Sequence, residues 1–514
     1  MPETKGKKEG FAIRDPWPLV FIILSSLVLV LIIIFLGQDG GQGPEAPREQ
    51  GEDAGIDGDV FAGRVLLNGE ELALAQAPLL EKGQVYLPLL ETAKALGMEL
   101  AREGDMIFIG TAPAAPAGEG PRIYRDGTDI TPADIIGQGQ DYYVPAQYGA
   151  AVLGLNYYEN FWANAVHLHQ AGGELQDGKY VVVRSGDERG WAPELHVEIL
   201  GGEVIACNYR EVNEAGVDKF ADPDYLDSWS SADSINPVAL IRQMEAELVE
   251  GQAVTEVDVA SGATGSWKNF IQLAAKALGK AQSGQLPRQY PPGEYVVLGA
   301  PGEHGWIPLL EYRVTGGEIA AFRFDEFNEK GERKRDSEEY MERWREAFPD
   351  FDPRAALAER EGDLLKVQDP NLLDAITGAT NWGVGLKVYG AGSLVHAAEA
   401  QLPQGSAKIY IACGPESERG DRAQLLLAVG GGEIFFADFR DFRNGRAKET
   451  DLEYLEAWRE QHPDVDPVAL DGEMEAVFLQ EKNPRALDAI SGATGWRESF
   501  QDLAARILEY IEGE

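Results

Sequence analysis

Apolar positions along this chain form short alternating runs broken by paired glycines, and longer stretches with a helical rhythm. After Thr264 the apolar residues are Phe270, Leu273, Ala274, Ala277 and Leu278; after Thr494 they are Phe500, Leu503, Ala504, Ile507 and Leu508. Both sets follow the 0, +3, +4, +7, +8 spacing of an amphipathic helix. The alternating runs open with GKYVVV, GEYVVL and AKIYIA near Gly178, Gly293 and Ala407. Each leads through a second strand to a Gly-Gly-Glu turn (Gly201-Gly202-Glu203, Gly316-Gly317-Glu318, Gly431-Gly432-Glu433) and then a third strand. The pattern predicts three tandem α+β units at 178–282, 293–402 and 407–514, each with antiparallel strands followed by helices.

Within each unit the third strand ends in a polar segment in which Lys219, Lys334 or Lys448 lies three residues after a glycine. A helix follows with Tyr and Trp four apart (Tyr225/Trp229, Tyr340/Trp344, Tyr454/Trp458), a pair on one helical face that is expected to pack against the sheet. Asn236-Pro237, Asp352-Pro353 and Asp466-Pro467 then start a further helix, with Pro at its first position. In the second unit Gly383, Gly385, Gly390 and Gly392 weaken the last helix. Pro- and Gln-rich links separate the units.

The N-terminal part reads differently. Residues 1–15 carry Lys5, Lys7, Lys8 and Arg14, and residues 16–38 are uncharged and almost wholly apolar from Leu19 to Leu36. About 18 residues rise roughly 27 Å as a helix, enough for a hydrocarbon core. The basic flank places the N-terminus in the cytoplasm and the remainder outside, as a single-pass signal anchor. Residues 39–58, rich in Gly, Gln, Pro and acids, form a disordered linker. From 59 to 170 two half-repeats follow. Each has a hairpin turn (Asn68-Gly69, Asp126-Gly127) and a short helix between a Pro (Pro88, Pro145) and a Gly (Gly97, Gly154). This stretch resembles the copper amine oxidase N-terminal-like domain, which implies a stalk-like spacer and no copper chemistry. His167 and His169 share one strand face, but no further ligand lies near them in sequence, so they read as surface histidines.

Composition narrows the function classes. The 514 residues carry 86 acids against 45 bases, a net charge of −41, which leaves no basic stripe for nucleic acid. The two cysteines, Cys207 and Cys413, form no Cys-x-x-Cys pair and read as half-buried thiols. Cysteine-attached haem and cysteine-held iron–sulfur clusters are excluded on that ground.

The chemistry lies in a motif repeated about every 115 residues, close to the size of a small domain. It reads Asp258-Val-Ala-Ser261-Gly262-Ala263-Thr264, Asp374-Ala-Ile-Thr377-Gly378-Ala379-Thr380 and Asp488-Ala-Ile-Ser491-Gly492-Ala493-Thr494. Each copy sits at or just before a helix N-terminus, where unpaired N–H groups and the macrodipole favour a phosphate. Small residues leave the threonine hydroxyl accessible. The competing reading is structural: a Ser or Thr caps the helix and the Asp closes a turn.

The motif resembles that of the FMN-binding domain family, D-x-x-[S/T]-G-A-[T/S], which includes the C and G subunits of sodium-pumping quinone reductase and Rnf complexes and surface electron-transfer flavoproteins. The resemblance implies FMN joined by a phosphoester to Thr264, Thr380 and Thr494. Asp258, Asp374 and Asp488 are then the motif acids, and a separate flavin transferase needing Mg supplies the FMN from FAD. The Asn213-Glu214 and Asn328-Glu329 pairs extend the resemblance; the third unit lacks that pair. Many members carry a hydroxyl two residues beyond the acceptor. Ser266 keeps it, while Trp382 and Trp496 replace it with a ring that either stacks on a flavin or fills its space. The order of expected flavin sites is Thr264, Thr494, Thr380.

The function implied is a membrane-anchored, extracytoplasmic flavoprotein that relays electrons from a quinone- or NADH-linked membrane donor to an extracellular acceptor. It is a carrier rather than an enzyme with its own substrate. A flavin-free adhesive or structural surface protein on the same scaffold is the alternative.

Overall fold

The computed structural model describes residues 59–113, 120–138, 141–232, 236–259, 263–284, 289–302, 304–347, 352–374, 380–403, 408–417, 419–463, 465–489 and 494–513. The expected cytoplasmic segment 1–15, membrane span 16–38 and linker 39–58 lie outside the described residues. Among the described residues no helix is long and apolar enough to cross a membrane. The described chain is α+β with mainly antiparallel sheets.

In the N-terminal module the Asn-Gly and Asp-Gly pairs make tight hairpins, with φ of 51° and 91° at Asn68 and Gly69 and 48° and 80° at Asp126 and Gly127. Helices Leu89–Ala95 and Ala146–Val152 start directly after Pro88 and Pro145, and the positive-φ glycines Gly97 and Gly154 follow their ends. Each half-repeat does not close on itself. The final hairpin of the second half pairs in parallel with strand Arg64–Leu67 of the first half (His167 opposite Leu66), and Ile107 of the first half pairs in parallel with Ile123 of the second. The two halves therefore exchange strands to complete each other's sheets.

The three large units repeat one plan. The first has strands β1 (Gly178–Val183), β2 (Ala192–Leu200) and β3 (Glu203–Val212), then helices α1 (Pro223–Ala232), α2 (Pro237–Gly251) and α3 (Thr264–Ser283). The second has β4 (Gly293–Leu298), β5 (Ile307–Thr315), β6 (Glu318–Phe327), α4 (Glu338–Ala347), α5 (Pro353–Val367) and α6 (Thr380–Glu399). The third has β7 (Lys408–Cys413), β8 (Asp421–Gly430), β9 (Glu433–Arg443), α7 (Leu452–Gln461), α8 (Pro467–Glu481) and α9 (Thr494–Gly513). Asn236, Asp352 and Asp466 cap α2, α5 and α8 through their side chains, each with Pro at the first turn, as the sequence predicts.

The units are not beads. Strands β4 and β7 pair in parallel, Val296 opposite Tyr410, and join the second and third units into one seven-stranded sheet. Tyr295, Val297, Ile409 and Ile411 share a core with Leu386 and Leu394 of α6. Their neighbours Val296, Leu298, Tyr410 and Ala412 share another core with Phe500, Leu503 and Ile507 of α9. Helices thus cover both faces, which is why these two strands read as continuous apolar runs.

Helix α3 is the pivot of the first unit. Its apolar stripe packs on β1 and β2, but Gln272, Ala275, Lys276 and Gly279 are buried as well. Strands of the N-terminal module cover that second face, and a Cβ at Gly279 would overlap the Tyr157 backbone carbonyl. The module is packed against the repeats, not held apart as a stalk. In α6 the glycines do not break the helix, which runs its full 20 residues. A Cβ at Gly390 would press on Pro370, and one at Gly392 would press on the Trp162 ring, so close packing accounts for both. Cys207 is half-buried as expected, whereas Cys413 is fully buried and its thiol is pushed up to about 12 by burial.

Candidate cofactor sites at three helix starts

Helices α3, α6 and α9 begin at Thr264, Thr380 and Thr494. Thr264 is half-buried and Thr494 exposed. Ser261, Gly262, Thr377, Gly378, Ala379, Ser491, Gly492 and Ala493, together with the side chains of Thr380 and Asp488, lie outside the described residues. At α3 the N-cap residue is Ala263, which makes no side-chain cap bond, and Thr264 is already helical, so Thr264 is not the cap. The first turn of a helix presents N–H groups that its own backbone does not pair.

The motif acids do different things. Asp258 is exposed, and its backbone N–H donates to Glu247 at 3.1 Å. Asp374 is half-buried against the first unit, accepting from the Ser185 N–H at 3.0 Å, with Lys276 at 3.4 Å and Arg184 at 3.9 Å. Burial alone would raise its carboxyl; Lys276, Arg184, Arg360 and the Ser185 N–H outweigh that and hold it below the usual range. Asp374 thus fastens the second unit to the first.

Beside each helix start the three units build one constellation. Glu211, Glu326 and Asp441, near the ends of β3, β6 and β9, pair with Lys219, Lys334 and Lys448 respectively. The same three acids accept a bond from the residue two beyond the threonine. Ser266 Oγ donates to Glu211 at 2.8 Å, Trp382 Nε1 to Glu326 at 2.6 Å and Trp496 Nε1 to Asp441 at 3.2 Å. The tryptophans therefore replace the hydroxyl without losing its hydrogen bond. Each ammonium also stands over a tyrosine ring, 5.1 Å from Tyr225, 5.0 Å from Tyr340 and 5.2 Å from Tyr454. All three lysines are buried. A buried ion pair returns little net stability for its desolvation cost, so three equivalent pairs are better explained as site-building than as fold-stabilising.

The Tyr/Trp helix pairs were expected in the core. They are instead half-buried and line these sites, with ring separations of 5.8, 6.4 and 6.1 Å along the chain. Lys219 and Lys334 are further flanked by Trp191 and Trp306, whereas Lys448 gains Asp421 at 3.1 Å. Neither these tryptophans nor the acids were singled out from sequence. The acids had a signal: each lies eight residues beyond the glutamate of its Gly-Gly-Glu turn.

The sites differ in openness. In the third unit a cavity of about 620 Å³ adjoins the start of α9 and is lined by Arg443, Lys448, Tyr454, Trp458, Trp496 and Ser499. That size suits a small organic ligand. Burial raises the Asp441 carboxyl, opposed by Lys448 and by the Trp496 bond. Trp496 stacks on Trp458 with ring centroids 5.1 Å apart and makes one wall. In the second unit Trp382 is 4% exposed and stacked with Trp344 and Tyr340 at 5.6 and 6.3 Å, so its indole fills the position. In the first unit Ser266 leaves that volume without a ring.

No protein-family model matches the chain. A stretch of 99 residues is 31% identical to the 15 kDa lipoprotein of Treponema pallidum, spanning 19% of this chain and 70% of the lipoprotein. Through that stretch the chain belongs to the family of this lipoprotein. It is also similar, over 21% of its length, to a Clostridium perfringens protein solved by crystallography (33% identity, 91% of that protein, TM-score 0.21). A Clostridium thermocellum protein solved in solution matches an equal share (26% identity, 92% of that protein, TM-score 0.16).

Proposed function

We propose that this chain is an extracytoplasmic flavoprotein that carries electrons on FMN joined to Thr264 and Thr494, with Thr380 as a closed third site. The observation that carries the reading is the repeated constellation: a helix beginning at a threonine, beside an acid (Glu211 buried, Asp441 half-buried) that binds both a lysine and the residue two further on. The residues fit the group. Helix N–H groups at Thr264 and Thr494 suit a phosphoester, and Trp458 and Trp496 offer apolar ring surface beside the second of these. When bound, the flavin supplies the redox chemistry. The chain's own part is positional. Glu211 and Asp441 fix Lys219 and Lys448 in place, the tyrosines cover the ammonium groups, and the aromatic helix pairs limit water around the site.

Membrane attachment rests on the uncharged segment 16–38 and on kinship with a lipoprotein. The partners are then a flavin transferase, a quinone- or NADH-linked membrane donor and an extracellular acceptor. The filled position at Trp382 favours a second reading for the second unit alone, that of a flavin-free structural element on the same scaffold.

The test is co-expression of residues 59–514, whose core is self-contained, with a flavin transferase. Fluorescence that survives denaturing electrophoresis, two flavins by intact mass and loss of one in each of Thr264→Val and Thr494→Val are expected. A chain that leaves this system without covalent flavin refutes the proposal.

A further inference from the structure

We propose that the cavity between the N-terminal module and the third unit binds a small molecule carrying a phosphate or carboxylate group. The cavity has a volume of about 1060 Å³ and is lined by Arg64, Trp162, His167 and His169 on one side and by the Arg443–Arg446 turn on the other.

Most charges around it are already committed. Arg443 makes a two-pronged pair with Asp421 at 2.6 and 3.0 Å, Glu399 binds Arg440 at 2.9 Å, and Asp451 accepts the Tyr454 N–H at 3.2 Å. Glu174 lines the cavity from an exposed position, and Arg64 and Arg446 are close enough to repel: the Arg64 guanidinium is lowered by burial first, with Glu71 opposing and Arg446 adding to the effect. Two arginines facing one cavity in a chain of net charge −41 offer an anion charge-assisted donors from both sides.

Polar atoms of the residues lining the cavity point the same way. Arg64 Nε, Trp162 Nε1, His167 Nε2 and His169 Nε2 are buried without a hydrogen-bond partner among the described residues. The first two can only donate. Trp162 and His167 are 4% and 6% exposed, so His167 is not the surface histidine expected from sequence. The His167 and His169 rings stack at 6.2 Å with an interplanar angle of 9°. Burial, then His169 and Arg64, hold His167 down at about 4, so both imidazoles are neutral at neutral pH, and an anion beside them would favour the protonated form of His167. No cluster of three or more metal-ligating side chains occurs among the described residues, which sets this site apart from a metal centre.

Titration calorimetry on the full chain at pH 6, with inorganic phosphate and with citrate as separate probes, tests this. One saturable site is expected for at least one probe, and which probe binds assigns the phosphate or the carboxylate class. Arg446 is exposed, so Arg446→Gln keeps the fold and is expected to weaken binding at least about tenfold, the loss of one charge-assisted hydrogen bond. Heats measured in two buffers of different ionisation enthalpy are expected to show proton uptake that His167→Gln removes. Two results would overturn the assignment: no saturable binding of either anion, or equal affinity in native chain and Arg446→Gln.

Discussion

Replacing Trp382 by serine tests whether one side chain decides the fate of the second site. The indole is 4% exposed, stacked on Trp344 and Tyr340, and donates to Glu326 at 2.6 Å. Emptying a buried tryptophan site costs about 3–5 kcal/mol. Trp382→Ala adds a second loss, because Glu326 then keeps Lys334 but lacks its other donor. Serine restores a hydroxyl at the position from which Ser266 reaches Glu211 at 2.8 Å. A hydrogen bond to a charged acceptor is worth about 1.5–3 kcal/mol, so Trp382→Ser should be more stable than Trp382→Ala by about that amount. Urea unfolding monitored by circular dichroism measures the difference. Co-expression with the flavin transferase, followed by peptide mass analysis, measures the functional half: Trp382→Ser is expected to gain flavin at Thr380. Equal stability of the two variants would refute the shared acid-donor geometry. Flavin on Thr264 and Thr494 but none on Thr380 of Trp382→Ser would refute steric closure.

Other consequences are open to direct measurement. Glu211→Ala strands Lys219 and removes the acceptor of Tyr209 and Ser266, with an expected loss of about 3–5 kcal/mol, while Glu211→Gln with Lys219→Met should lose far less in a double-mutant cycle. Gly279→Ala pushes a methyl group against the Tyr157 backbone, so the N-terminal module should loosen, at a cost of about 1–3 kcal/mol, and limited proteolysis within 59–170 should accelerate. Burial and neighbouring acids raise Asp471 to about 8 and Glu475 to about 7. A carboxyl raised above its unfolded value binds its proton more tightly in the native state, so stability is fullest below about pH 4 and falls as pH rises through 8. Asp471→Asn should flatten that slope and gain about 1–3 kcal/mol at pH 8, after allowance for solvent screening of this half-buried group, as read from thermal unfolding against pH.

Local structure in this chain was legible because it depends on near neighbours. Asn236, Asp352 and Asp466 followed by proline fix three helix starts, paired glycines fix three hairpins, and the Pro-to-Gly spacing fixes the two short helices of the N-terminal module. The start of a helix at Thr264 and at Thr494 was equally plain, since helical periodicity resumes there.

What sequence periodicity leaves undetermined is which surface covers which. The rhythm of α3 marks one buried stripe; its second buried face exists only because strands from the N-terminal module lie over it. The glycines of α6 read as weakness until Pro370 and Trp162 are seen pressed against them. Trp382 and Trp496 read as departures from a hydroxyl, because a sequence does not show that an indole N–H reaches the same carboxylate across the fold. By itself, then, the sequence determined the repeat, the element order and the three threonines at helix N-termini. Only the tertiary structure decided that two units share a sheet, that an acid, a lysine and an aromatic helix meet beside each threonine, and that the three sites differ in space. The reason is physical: propensity and capping act over a few residues, whereas burial and hydrogen-bond partnership are settled between groups some fifty residues apart, such as Ser266 and Glu211.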